Sequence, residues 1–239
     1  MSLAVSTNDV SRSDSPGEGN RQVAAIFNDA ASVYDAASNP YTMRRRVEAI
    51  VPHVVGRSLE VGGGTAAVTS ALSDKSHALH SDISLRMCCL ARKKASCRSV
   101  CFDAETIPLR DGSIDTLISS EMIYYLQRPD QFVTEAHRVL ATGGQLVISA
   151  TNPMATILER GRTVLRMLGF KNMFFDDGSP VFLPMRRIVS MLQEARFFVE
   201  KKYYIIPLPF AVLDWANRIL ERTPLKYLGL FMIIVAKKQ

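Results

Sequence analysis

Leu59-Glu60-Val61-Gly62-Gly63-Gly64-Thr65-Ala66 is the stretch from which the fold of this chain is read. A short apolar run ends in a glycine cluster, and a helical pattern follows, so the segment joins a strand to a helix. Glycine lets the backbone turn sharply and approach a ligand closely, and a helix N-terminus presents unpaired N–H groups to polar ligand atoms. Gly62-x-Gly64-x-x-Ala67 also satisfies the loose dinucleotide fingerprint, with Asp82 about 20 residues on. Glu60 separates the two readings. A loop that receives a pyrophosphate gains nothing from a carboxylate at its mouth, whereas an ammonium or sulfonium ligand does.

Working outward, Ser76 to Asp82 reads as a second strand ending in an acid, with Ile83 beside it. One carboxylate there can accept hydrogen bonds from both hydroxyls of a ribose. Val100 to Glu105 reads as a third strand and loop, and Asp103 is placed to accept an adenine amino group. These positions favour S-adenosylmethionine over NAD. Strands are expected near 57–61, 77–82, 99–102, 114–119 and 144–150, alternating with helices, which implies a parallel sheet covered on its faces. Glu60, Asp82, Asp103 and Ser119 to Glu121 then share one carboxyl edge, where open α/β sheets bind ligands.

With those residues in place, the chain resembles the class I S-adenosylmethionine-dependent methyltransferases, particularly the small-molecule branch that includes ubiquinone and menaquinone methyltransferases. The likeness covers roughly residues 21 to 150. It rests on Phe27-x-x-Ala30 to Tyr34-Asp35, Glu60-x-Gly62-x-Gly64, Asp82, Asp103-Ala104-Glu105 with Ile107-Pro108-Leu109, and Arg138-Val139-Leu140-x-x-Gly143-Gly144. The resemblance implies a Rossmann-like, seven-stranded, mostly parallel α/β sheet with an antiparallel last strand, helices on both faces and a helical lid. It also implies that Glu60, Gly62, Gly63 and Gly64 surround the methionine moiety, Asp82 takes the ribose, Asp103 and Ala104 hold adenine, and Tyr34 closes over the cofactor. Ile83, Glu105, Ser119 and Ser120 complete the expected cofactor edge. Ala66 departs from the family, which usually has a third glycine there.

The remaining composition bounds the organisation. A chain of 239 residues with 47% hydrophobic content can bury one sizeable core, so a single domain over 21–239 is expected, with lid insertions near 153–183 and 208–228. Residues 1–20, poor in large apolar side chains, read as a disordered tail without a secretory apolar core. Four cysteines without an export signal read as reduced thiols of a cytoplasmic protein. Their spacing does not suit zinc, and His77 and His80 would leave a strand on opposite faces, so no metal is expected.

The chemistry asks for an acceptor held in line with the sulfonium methyl and shielded from water, with a general base only where the acceptor is a hydroxyl or amine. Glu121, Tyr124 and Tyr125 are the leading candidates; Tyr41 and the Asp176-Asp177 pair are others, each with an ordinary packing or solvated-turn reading beside it. His137, on the helix leading into Arg138-Val139-Leu140, is expected at the surface away from this edge. After strand four the chain reads Ser119-Ser120-Glu121-Met122, without the Pro-Pro-aromatic pattern of nucleic-acid amino methyltransferases. The +6 net charge keeps an RNA partner in view, yet Arg86, Arg92, Lys93, Lys94 and Arg98 read as the solvated face of a helix, and no nucleic-acid partner is expected. Apolar residues interleaved with Arg160, Arg162 and Arg166 suggest a cover for a hydrophobic acceptor and a contact with an anionic membrane surface. Methyl transfer to oxygen or carbon of a small, largely apolar molecule is therefore expected. An amine acceptor and a cofactor-binding subunit without turnover stand as alternatives.

Overall fold

The computed structural model describes residues 18–154, 181–206, 208 and 210–239. Seven strands form one sheet in the order β3-β2-β1-β4-β5-β7-β6. They are β1 (Ser58–Val61), β2 (Ala78–Asp82), β3 (Arg98–Cys101), β4 (Ile114–Ser120), β5 (Leu140–Thr151), β6 (Phe197–Ile205) and β7 (Phe231–Lys238). Neighbours among β1 to β5 pair in parallel, while β7 runs antiparallel between β5 and β6. The expected architecture with its antiparallel last strand is thus present. β5 starts earlier than its apolar run suggests, because Leu140 pairs with Ile114 before the register shifts at Gly143-Gly144.

Side chains alternate across the sheet and meet helices on both faces. On one face Ile118, Val147 and Val235 pack against Ile50 of α3 (Pro40–Ile50) and Val68 of α4 (Ala67–Ala71). On the other, Leu117, Leu146 and Ile148 pack against α6 (Pro129–Val139) and α7 (Met185–Glu194), through Phe132, Val133, Ala136, Ile188 and Leu192. α5 (Leu85–Ala95) covers β2 and β3, and α1 (Glu18–Ala30) with the single turn α2 (Tyr34–Ala37) lies at the carboxyl edge of the sheet, by Asp103 and Gly64.

The expected tail boundary at residue 20 needs correction: α1 begins at Glu18, and Gly19 and Asn20 are buried, because the Asn20 amide is tied to Asp103. Residues 1–17 lie outside the described ones, as do most of the expected lid at 153–183, its Arg160, Arg162 and Arg166, and Asp176-Asp177. The expected 208–228 insertion contains the short helical turn Ala211–Leu213, α8 (Asp214–Leu220) and a second turn, Pro224–Leu228. Among the described residues no helix is long and apolar enough to cross a membrane.

Candidate functional site

Three elements meet at the glycine loop. Gly62 and Gly64 adopt φ of +63° and +55°, a left-handed conformation that costs a side-chain-bearing residue energy. Space also opposes a side chain at Gly62, where a Cβ would stand 2.3 Å from Met122 Cγ, while one on Gly64 would press on the Tyr34 ring at 3.3 Å. The loop after β4 and the turn α2, through Tyr34, therefore both abut the loop. Ala66 also takes a left-handed conformation, φ 63°, as the residue before α4. Its methyl is buried against Ala91, Ala95 and Cys97, and that packing offsets the backbone cost.

Glu60 departs from the expectation that it faces a cation at the loop's mouth. It is buried, and its Oε2 accepts from the backbone N (2.9 Å) and the Oγ1 (2.5 Å) of Thr69. The first turn of α4 carries unpaired N–H groups, and the carboxylate ending β1 is the acceptor within reach. Burial pushes its pKa up to about 7, against the lowering effect of the Thr69 donors. Beside it His80 is held neutral, its pKa lowered to about 4 by burial; its Nδ1 lies 2.8 Å from Ser99 Oγ, while its Nε2 is buried without a partner.

Asp82 is buried at the end of β2 with Oδ2 accepting from Gly64 N (2.9 Å) and Oδ1 from Ser84 N (2.8 Å). Burial raises its pKa. Each oxygen keeps a second lone pair, so the carboxylate can still accept hydroxyls. Ile83 follows directly in the turn to α5. Asp103 Oδ1 accepts from Glu105 N, and its Oδ2 accepts at 2.7 Å from the Nδ2 of Asn20. A planar amino group on this oxygen is what an adenine would also present, which makes the site chemically suited to one. Ala104 is buried beside it. Glu105 corrects another expectation, for its carboxylate takes the backbone N and Nε of Arg128 (2.8 and 2.9 Å) and fastens the loop after β3 to the start of α6. Its role is structural, because it is fully buried behind this clasp and leaves no oxygen open to a ligand.

At the end of β4, Ser119 is buried with an unpartnered Oγ, and Ser120 is half-buried. Glu121 follows with φ 56°, a strained conformation for a side-chain-bearing residue. Its Oε1 accepts from Ser149 Oγ (2.5 Å), and its Oε2 accepts from Thr151 Oγ1 (2.6 Å) and Tyr124 OH (2.9 Å). Arg46 Nη1 lies 3.8 Å from the same oxygen, its guanidinium stacked 4.9 Å from the Phe231 ring centroid. Tyr125 packs at a tilt against Tyr124 and meets Phe27 edge-on, Phe27 meets Tyr34, and Phe182 meets Tyr124, with centroids 4.8 to 6.3 Å apart. An aromatic wall therefore runs from the glycine loop to Glu121.

Sequence reading missed Asn20, Arg46, Ser149 and Thr151. Arg46 follows Arg44 and Arg45, and nothing in that run tells which guanidinium turns inward. Tyr41 is excluded as a base by its surroundings: its OH donates to Asp214, accepts from Asn217, and its pKa is raised by burial. His137 is not at the surface as expected. It is half-buried edge-on against Phe197, and burial lowers its pKa.

A family profile described as a methyltransferase domain matches residues 59–148. That span holds the glycine loop, Asp82, Asp103 and Glu121. This region is a class I S-adenosylmethionine-dependent methyltransferase domain. Among its relatives are a malonyl-[acyl-carrier protein] O-methyltransferase of Marinomonas, 32% identical over 54% of this chain and 51% of that one. A ubiquinone/menaquinone biosynthesis C-methyltransferase of Ruegeria is 27% identical over 53% of this chain and 58% of that one. The chain thus spans about half the length of these curated relatives. A solved S-adenosylmethionine-dependent methyltransferase from Thermotoga maritima, described as a possible histamine N-methyltransferase, shares the methyltransferase domain's fold with a TM-score of 0.65 and 20% identity, over 91% of this chain and 100% of that one. The cofactor of the domain is S-adenosylmethionine, in keeping with the acids at the ends of β2 and β3.

Proposed function

We propose that the chain transfers a methyl group from S-adenosylmethionine to oxygen or carbon of a small, largely apolar acceptor. When bound, the cofactor supplies an already activated methyl on sulfur. Glu60, through α4, and the glycines would shape the methionine end of its site; Asp82 with Ile83 would take the ribose, and Asp103 with Ala104 the adenine. Tyr34 would cover the loop, and Ser119 and Ser120 would line the floor between cofactor and acceptor.

The observation that carries the acceptor side is the Glu121 cluster: a carboxylate on a strained backbone, fed by three hydroxyls, one residue before the Met122 that packs on Gly62. Glu121 can take the acceptor's proton, directly or through the Tyr124 hydroxyl, and Arg46 balances its charge. Tyr125, Phe27 and Phe182 supply apolar faces and exclude water, which supports a planar or chain-like hydrophobic acceptor over a charged one. Both kinds of relative fit this reading, since one is named for transfer to oxygen and the other to carbon. Working in the cytoplasm as a single domain is part of the proposal and is supported by free thiols at Cys88, Cys89, Cys97 and Cys101.

The test is methyl transfer from labelled S-adenosylmethionine to a panel of hydrophobic phenols and quinols, beside calorimetric titration with S-adenosylhomocysteine. Glu121→Gln should keep homocysteine-analogue affinity and lose transfer by about 10² to 10⁴. Transfer undiminished in that variant removes Glu121 as the proton acceptor. Binding of the analogue without transfer to any acceptor favours the alternative of a subunit without turnover.

A further inference from the structure

The insertion between β6 and β7 is turned inside out. Asp214, Asn217 and Glu221, spaced three and four residues apart on α8 and its end, face the fold, where Arg45 of α3 donates to Asp214 Oδ1 (2.5 Å) and Glu221 Oε1 (2.7 Å), and Asn217 donates to the Tyr41 hydroxyl (2.7 Å). The apolar stripe, Val212, Trp215 and Ile219, has the same helical spacing and points away from the protein, with Val212 83% and Trp215 67% exposed. Leu225, Tyr227 and Leu228 on the following turn are exposed too and extend it. A stripe of this kind on a protein surface marks a contact with something apolar.

The charges around it favour one occupant. Asp214 and Glu221 both bond Arg45, and Asp214 (3.1 Å) and Glu48 of α3 (3.4 Å) together balance Arg218, so the other cations of this face are the exposed Arg222 and the half-buried Lys226. Tryptophan and tyrosine suit an interface that is apolar on one side and wet on the other, and basic residues beside them attract anionic headgroups. A second copy of this chain would bring Arg222 and Lys226 against their own like, which a symmetric contact penalises. We propose that this face docks on the surface of an anionic lipid bilayer.

The face also adjoins the acceptor side of the domain. Asn152 Nδ2 donates to the carbonyls of Tyr227 (3.1 Å) and Gly229 (2.8 Å), and Asn152 follows the Thr151 that bonds Glu121. Arg45, which anchors α8, precedes the Arg46 beside Glu121. A docked molecule would thus hold the Glu121 cluster near the bilayer, although the docking itself does not depend on methyl transfer.

Trp215 is the chain's one tryptophan, which makes its emission a direct reporter. The full-length protein is mixed with vesicles of phosphatidylcholine alone or containing phosphatidylglycerol, and sedimentation and emission are read together. Docking gives a blue shift and co-sedimentation with the anionic vesicles, both weakened by salt. Trp215→Ser should lose most binding, and Arg222→Glu with Lys226→Glu should lower it by at least about fivefold for each site, while S-adenosylhomocysteine affinity of every variant stays unchanged as proof of folding. Equal binding by wild type and variants, no binding to anionic vesicles, or a dimer in light scattering that Trp215→Ser abolishes would each overturn the proposal, the last by assigning the face to a second copy.

Discussion

α6 and α8 are both amphipathic, and they are mounted in opposite senses. α6 drives Phe132, Val133, Ala136 and Val139 into the sheet and leaves its polar residues toward solvent. α8 seals to α3 with Asp214, Asn217 and Glu221, and shows its apolar residues to solvent. The β1–β5 part of the molecule is thus closed by the hydrophobic effect, and the β6–β7 insertion is fastened by charge-assisted hydrogen bonds. Amphipathic spacing says that a helix has two faces; what each face finds within reach decides which one turns in.

The largest effect expected from this contrast is in α6. Phe132→Ala leaves a cavity in the main core and should cost about 3–5 kcal/mol of stability, read as a lowered denaturant midpoint. Arg45→Ala strips the buried partner from Asp214 and Glu221 and should cost on the order of 3 kcal/mol, with faster proteolysis of the 211–228 segment as the local sign. A loss no greater than that of a surface pair would mean that apolar packing holds the insertion after all.

Glu60 probes a buried acid in the first region. Its pKa, near 7 in the fold against about 4.5 in the unfolded chain, means that the folded state prefers the protonated form. Stability from this group is therefore full below about pH 4.5 and falls as pH rises to about 7, by on the order of 3 kcal/mol. Glu60→Gln, which keeps an acceptor for Thr69, should reduce that decline in urea unfolding between pH 5 and 8. Asp82, also raised by burial, leaves a residual slope of the same sign. A decline unchanged in the variant would show that Glu60 is ionised in the fold throughout. The smallest effect is expected at Trp215, where Trp215→Ala should shift stability by less than about 0.5 kcal/mol because the ring packs on little.

Much of the carboxyl edge of the sheet was legible in the order of residues. The strand-glycine-helix turn and the acids that end β2 and β3 follow from local chemistry: glycines where a side chain would collide, and carboxylates at strand ends on one edge. The details failed where a side chain had a nearer partner than the ligand. Glu60 went to the first turn of α4, Glu105 to Arg128, and Tyr41 to Asp214 and Asn217, and none of these partners stands next to its mate in sequence.

The sequence by itself determined an alternating α/β fold, its cofactor class and the sheet edge at which its acids gather, because periodicity and turn chemistry act over a few residues. Only the tertiary structure decided that Glu121 gathers Ser149 and Thr151, that Asn20 reaches Asp103, and that the apolar face of α8 turns outward. Each depends on contacts between segments tens to more than a hundred residues apart, and such contacts are set by how the whole sheet packs.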